Sequence, residues 1–118
     1  MDLLTRHFVE KPWGRRNLPA AFGAPVGQQT GEIWYQGDAL PPLLERLLVK
    51  YLFTSEKLSV QVHPTDEQAR AVGLSGGKSE CWFVTHAQDN ATLGIGLHAP
   101  MTADELRAAA LDGSIEQA

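Results

Sequence analysis

Eleven glycines and seven prolines divide this chain into short segments. Proline has no N–H to donate and glycine costs the most backbone entropy to order, so each break stops a regular element. Such punctuation favours several short strands over long helices. Residues 7–14 (HFVEKPWG) open as an extended piece that Pro12 and Gly14 halt. Residues 15–31 read as an irregular loop, and EIWYQ (32–36), aromatic and β-branched, as a short strand. The run 40–54 is ambiguous: LLERLL suits a helical turn, whereas LLVKYLF suits a buried strand. LSVQVH (58–63) reads as a strand that Pro64 stops.

Beyond Pro64, Thr65 and Gln68 have the spacing of a capping box and open a short helix. GLSGGKS (73–79) is a flexible turn. ECWFVTHA (80–87) and NATLGIGL (90–97) are strand candidates, with AQDN as the turn between them. A second capping box, Thr102 with Glu105, begins a helix that Gly113 ends. Short strands with few helices predict a β-sandwich or barrel.

Composition bounds the rest. With 118 residues, 43% of them hydrophobic and 20% charged, the chain is expected to form one domain, 1–118, with a packed core. Its net charge of −4, with GRR at 14–16 as the densest basic point, argues against a nucleic-acid partner. The lone Cys81 excludes an internal disulfide and fits a reducing compartment. The N-terminus lacks the apolar core of a signal peptide, and no apolar run is long enough for a membrane span. A cytoplasmic protein without membrane partners is the expectation.

Two strands carry the candidate chemistry. In 58–63, alternation puts Leu58, Val60 and Val62 on one face and Ser59, Gln61 and His63 on the other. That polar face either meets water or looks into a pocket. In 77–84, Lys78, Glu80 and Trp82 share a side, while Ser79, Cys81 and Phe83 share the opposite one. If the strands pair in one barrel, Gln61, His63, Lys78 and Glu80 converge. An imidazole, a carboxylate and an amide oxygen form a ligand set suited to Zn²⁺, with Mn²⁺ or Fe²⁺ as alternatives. The spacing alone is not diagnostic. Cys81 reads as a small core residue and the three tryptophans as core or pocket wall, while His7, His86 and His98 read as surface or locally bonded.

EKPWG (10–14), GEIW (31–34), LLVKYL (47–52), LSVQVHP (58–64) and GKSECWFV (77–84) occur in that order. On these motifs the chain resembles the N-terminal portion of the type I mannose-6-phosphate isomerases, from residue 10 to the helix near residue 113. The resemblance implies a mainly β, cupin-like antiparallel β-barrel or jelly roll, incomplete in these residues, with short helices. It implies one Zn²⁺ held by Gln61, His63 and Glu80. Ser59 and Lys78 would line the pocket for a sugar phosphate, with Lys78 as the catalytic residue. A further histidine ligand of the family lies in a GTxHA-like segment that these 118 residues do not contain, nor do they hold most of its phosphate-binding residues.

The implied reaction interconverts mannose 6-phosphate and fructose 6-phosphate. Without the further histidine, the chain by itself is expected to be inactive or nearly so. The competing expectation is a non-catalytic cupin module that binds metal or sugar. A partly encoded barrel would leave strand edges open, so a homo-oligomer is also expected.

Overall fold

The computed structural model describes residues 4–37, 40–41 and 46–118. It divides into two compact units, Met1–Ser59 and Val60–Ala118, and each is described by itself.

The first unit is an open three-stranded antiparallel sheet, β1 (Thr5–Arg15), β2 (Thr30–Gln36) and β3 (Val49–Leu52), with β2 in the centre. Strand β1 runs past Pro12 and Gly14, where the sequence suggested a halt, but its ladder pays attention to both. Pairing is regular from Thr5↔Gln36 to Val9↔Glu32, then the register shifts twice before Arg15↔Thr30. A proline gives no ladder hydrogen bond, and β1 tolerates one because it lies at the edge of the sheet. Gly14 permits a close approach: a Cβ there would lie 2.6 Å from the backbone of Thr30 and Gly31. The Trp13 carbonyl accepts from the Ser55 N–H at 2.8 Å, which ties the end of β1 to the segment after β3.

The expected strand at 32–36 is β2, and of the ambiguous run the strand reading holds at Val49–Leu52. The alternative turn at 43–48 extends outside the described residues. Ile33, fully buried on β2, anchors one face of the sheet. Its cross-strand partner is Tyr51, and edge-to-face contacts join Tyr51 to Phe22 at 5.0 Å and Phe22 to Phe53 at 4.9 Å. Phe22 comes from a 3-10 turn, Ala20–Phe22, inside the segment read as loop.

The second unit has two short helices, α1 (Asp66–Ala71) and α2 (Ala103–Asp112). Both open on the capping boxes expected from sequence. Thr65 and Gln68 exchange hydrogen bonds at 3.2 and 2.9 Å, and Thr102 and Glu105 do so at 3.3 and 2.7 Å. Gly113 ends α2 in the left-handed region at φ 83°, where glycine has no Cβ penalty. The turn after residue 87 closes with the Ala91 N–H donating to the Gln88 carbonyl at 3.0 Å, with Asn90 at positive φ.

The strands expected at 58–63, 80–87 and 90–97 are not realised. These segments have no ladder hydrogen bonds among the described residues. Strand propensity measures how a side chain fits a paired, half-buried surface, and among the described residues no strand pairs with these segments to provide one. Their apolar side chains stay exposed: Val62 75%, Phe83 90% and Ile95 86%. Cys81 is exposed for the same reason, so its reading as a core residue is corrected, and Trp82 is exposed as well. The architecture is nonetheless antiparallel, β-rich and open, with short helices, as an incomplete barrel implies.

Candidate metal and sugar-phosphate site

The second unit brings three of the five expected site residues together. His63 ends the segment before Pro64, and Lys78 and Glu80 lie beyond α1. One carboxylate oxygen, Glu80 Oε2, is 3.5 Å from His63 Nε2 and 3.5 Å from Lys78 Nζ. The Glu80 side chain is only a fifth exposed and that of His63 about a quarter, whereas half of Lys78 faces water. Glu80 is therefore the hinge of the cluster, with an imidazole on one side and an ammonium on the other.

Gln61 is exposed and lies two residues before His63 in the same segment. Ser59 is exposed and is the last residue of the first unit. His7, His86 and His98 are exposed, and the backbone N–H of His98 donates to the Ala118 carbonyl at 2.6 Å.

His63 carries the strongest sign of a ligand. Its Nε2 is shut off from solvent and makes no hydrogen bond. Buried side-chain nitrogens are normally hydrogen-bonded, so such an orphan calls for a partner of another kind. Glu80 Oε2 is near, but at 3.5 Å it is long for a hydrogen bond. The separation suits a shared ion better: nitrogen and oxygen ligands bound tetrahedrally to zinc at about 2.0–2.2 Å stand roughly 3.4 Å apart. Among the described residues, no group of three or more His, Cys, Asp or Glu side chains is arranged to hold a metal. His63 and Glu80 are two donors of those types, so a metal held here would need a third donor of another type, such as an amide oxygen like that of Gln61. The donor chemistry fits a divalent cation of the zinc kind.

A second buried polar cluster escaped the sequence reading. On β2, Glu32 is 6% exposed and accepts from the Trp34 indole N–H at 2.6 Å, with Lys50 Nζ of β3 at 3.5 Å. The available signal was the spacing: Glu32 and Trp34 are two apart on one strand and so share a face. Nearby on β2, the fully buried Thr30 hydroxyl has no hydrogen-bond partner.

Comparison with known proteins places these features in context. The chain is 32% identical over 124 residues to the probable mannose-6-phosphate isomerase GmuF of Bacillus subtilis (strain 168), covering 78% of this chain and 39% of that protein. It is 32% identical over 131 residues to the mannose-6-phosphate isomerase ManA of the same organism, covering 84% and 41%. It is 41% identical over 61 residues to a mannose-6-phosphate isomerase of Streptococcus mutans, covering 52% and 19%. The chain thus spans about two fifths of the length of the two Bacillus relatives. No protein-family model matches it, and no solved structure does.

Proposed function

We propose that this relative of the mannose-6-phosphate isomerases carries part of the active site of a zinc-dependent aldose–ketose isomerase, one that interconverts mannose 6-phosphate and fructose 6-phosphate. The observation that carries the reading is the Glu80 carboxylate, 3.5 Å from both the orphaned His63 Nε2 and the Lys78 ammonium. The similarity to named isomerases supplies the substrate class.

In the aldose-to-ketose direction, a proton leaves C2 and one is delivered to C1, while a hydroxyl proton passes from O2 to O1. Negative charge develops on the sugar oxygens during that exchange, so the site needs positive groups and hydrogen-bond donors aimed at them. Gln61, His63 and Glu80 would hold the metal. Once bound, the ion would supply Lewis acidity toward the sugar oxygens. Lys78, half-exposed at the rim of the cluster, offers its ammonium to the oxygen on which charge grows. Glu80 orients that ammonium. As a metal ligand it is a weak base, so the carbon acid is not its task. Ser59 would add a hydroxyl contact to the sugar phosphate.

Elemental analysis of protein purified without added metal should show zinc, and a His63→Ala/Glu80→Ala double variant should lose it. Full occupancy in the double variant would overturn the ligand assignment. Isomerisation is read by a coupled assay for fructose 6-phosphate formed from mannose 6-phosphate. The assay is run on this chain, expected to turn over little or nothing, and on any longer version of the same protein, where Lys78→Met should abolish turnover while retaining the metal. A metal-loaded longer version without turnover, or turnover there indifferent to Lys78→Met, would overturn the isomerase reading.

A further inference from the structure

We propose that Asp66 and Gly77 are positioning residues of this site, forming a latch that docks the loop carrying Lys78 and Glu80 onto the turn after His63. The inference rests on the functional reading above, since it concerns how that site is assembled. His63 and Lys78 are separated by α1 and by the glycine-rich stretch GLSGG, and among the described residues no ladder joins the two segments. Something else must hold them together. Two hydrogen bonds do so: Asp66 Oδ1 accepts from the Gly77 N–H at 2.8 Å, and the Pro64 carbonyl accepts from the Lys78 N–H at 3.2 Å. One bond thus involves the residue next to His63, and the other end is Lys78 itself.

The steric fit is as specific as the bonding. A Cβ on Gly77 would lie 2.5 Å from the Pro64 carbonyl oxygen, 2.6 Å from Thr65 C and 2.7 Å from Asp66 N. All three are backbone atoms that do not swing aside, so any side chain at 77 must push the loop off the turn. Asp66 divides its carboxylate between two tasks. Oδ2 is 3.4 Å from Arg70 Nη2 within α1, and Oδ1 serves the loop. Groups that hold ligands in place without touching the metal commonly govern affinity by about 10–100-fold.

The test measures zinc affinity by competition with a chromophoric chelator for the wild-type chain, Asp66→Ala, Asp66→Asn and Gly77→Ala. Asp66→Ala and Gly77→Ala should weaken binding by about tenfold or more. Asp66→Asn keeps an acceptor oxygen but loses the charge that serves α1, so it should bind close to wild type. In metal-free protein, nuclear Overhauser contacts between the His63 ring and Lys78 or Glu80 should vanish in Gly77→Ala, with the α1 amide signals retained. Unchanged zinc affinity in Gly77→Ala would overturn the latch, as would Asp66→Asn failing as badly as Asp66→Ala, or ring contacts surviving Gly77→Ala. If the wild-type chain binds no zinc, the metal reading fails and the contacts in metal-free protein decide the latch alone.

Discussion

Glu32 and the Nε2 atom of His63 are polar groups withdrawn from water, and they are treated differently. Glu32 has its needs met inside the sheet by the Trp34 indole and by Lys50, so its burial is compensated. His63 Nε2 is left without a hydrogen bond, its neighbouring carboxylate standing 3.5 Å away. The first arrangement holds a fold together, and the second is suited to receiving a ligand. Gly14 makes the same point for packing. It is buried where a Cβ would meet backbone atoms at 2.6 Å, so Gly14→Ala should destabilise the first unit by about 1–3 kcal/mol. The midpoint of urea denaturation checks this, and an unshifted midpoint would mean that β1 and β2 separate at little cost.

At the scale of elements, the helices are governed by their ends. Helix α2 has a single buried residue, Ala109, so packing contributes little and its N-terminal cap matters correspondingly more. Thr102→Ala should cost about 1 kcal/mol of helix stability, read as faster amide exchange across 103–106. The cap also makes α2 sensitive to acid. The backbone N–H and then the hydroxyl of Thr102 hydrogen-bond the Glu105 carboxylate and hold its pKa below the ordinary glutamate value. A lowered folded-state pKa contributes stability that is present above the unfolded value and lost as pH falls through the folded one. Amide protection of α2 should therefore decline on acidification below the usual glutamate range. Glu105→Gln should flatten that dependence, and an unchanged pH profile in this variant would remove Glu105 as its source.

At the scale of the whole molecule, apolar surface is the salient property. Val60, Val62, Phe83, Val84, Ile95 and Leu97 are all exposed, and the segments that carry them have no ladder partners among the described residues. Exposed apolar residues grouped in extended segments promote association. The chain is expected to self-associate as its concentration rises and to bind an environment-sensitive hydrophobic dye. Light scattering that shows a monomer at high concentration, together with no dye binding, would contradict this. Among the described residues, no helix is long and apolar enough to cross a membrane.

What the sequence determined by itself is what acts over a few residues. Both capping boxes, the glycine that closes α2, the turn near Asn90 and the central strand β2 were legible because each depends on neighbours within one turn or on a simple alternation. His63, Lys78 and Glu80 were legible as candidates from alternation within two short stretches and from family motifs, and the structure sets these three together. Their means of meeting was not legible, because alternation predicted paired strands at 58–63 and 80–87 and pairing requires a neighbour that local sequence does not specify. Tertiary structure decided that those segments join no strand ladder among the described residues, that Cys81 faces water, and that Glu32 is buried against Lys50. It also decided that Gly77 docks against Pro64 and Asp66, eleven and more residues earlier in the chain. A close backbone approach of that kind leaves no periodic trace, only a glycine among other glycines.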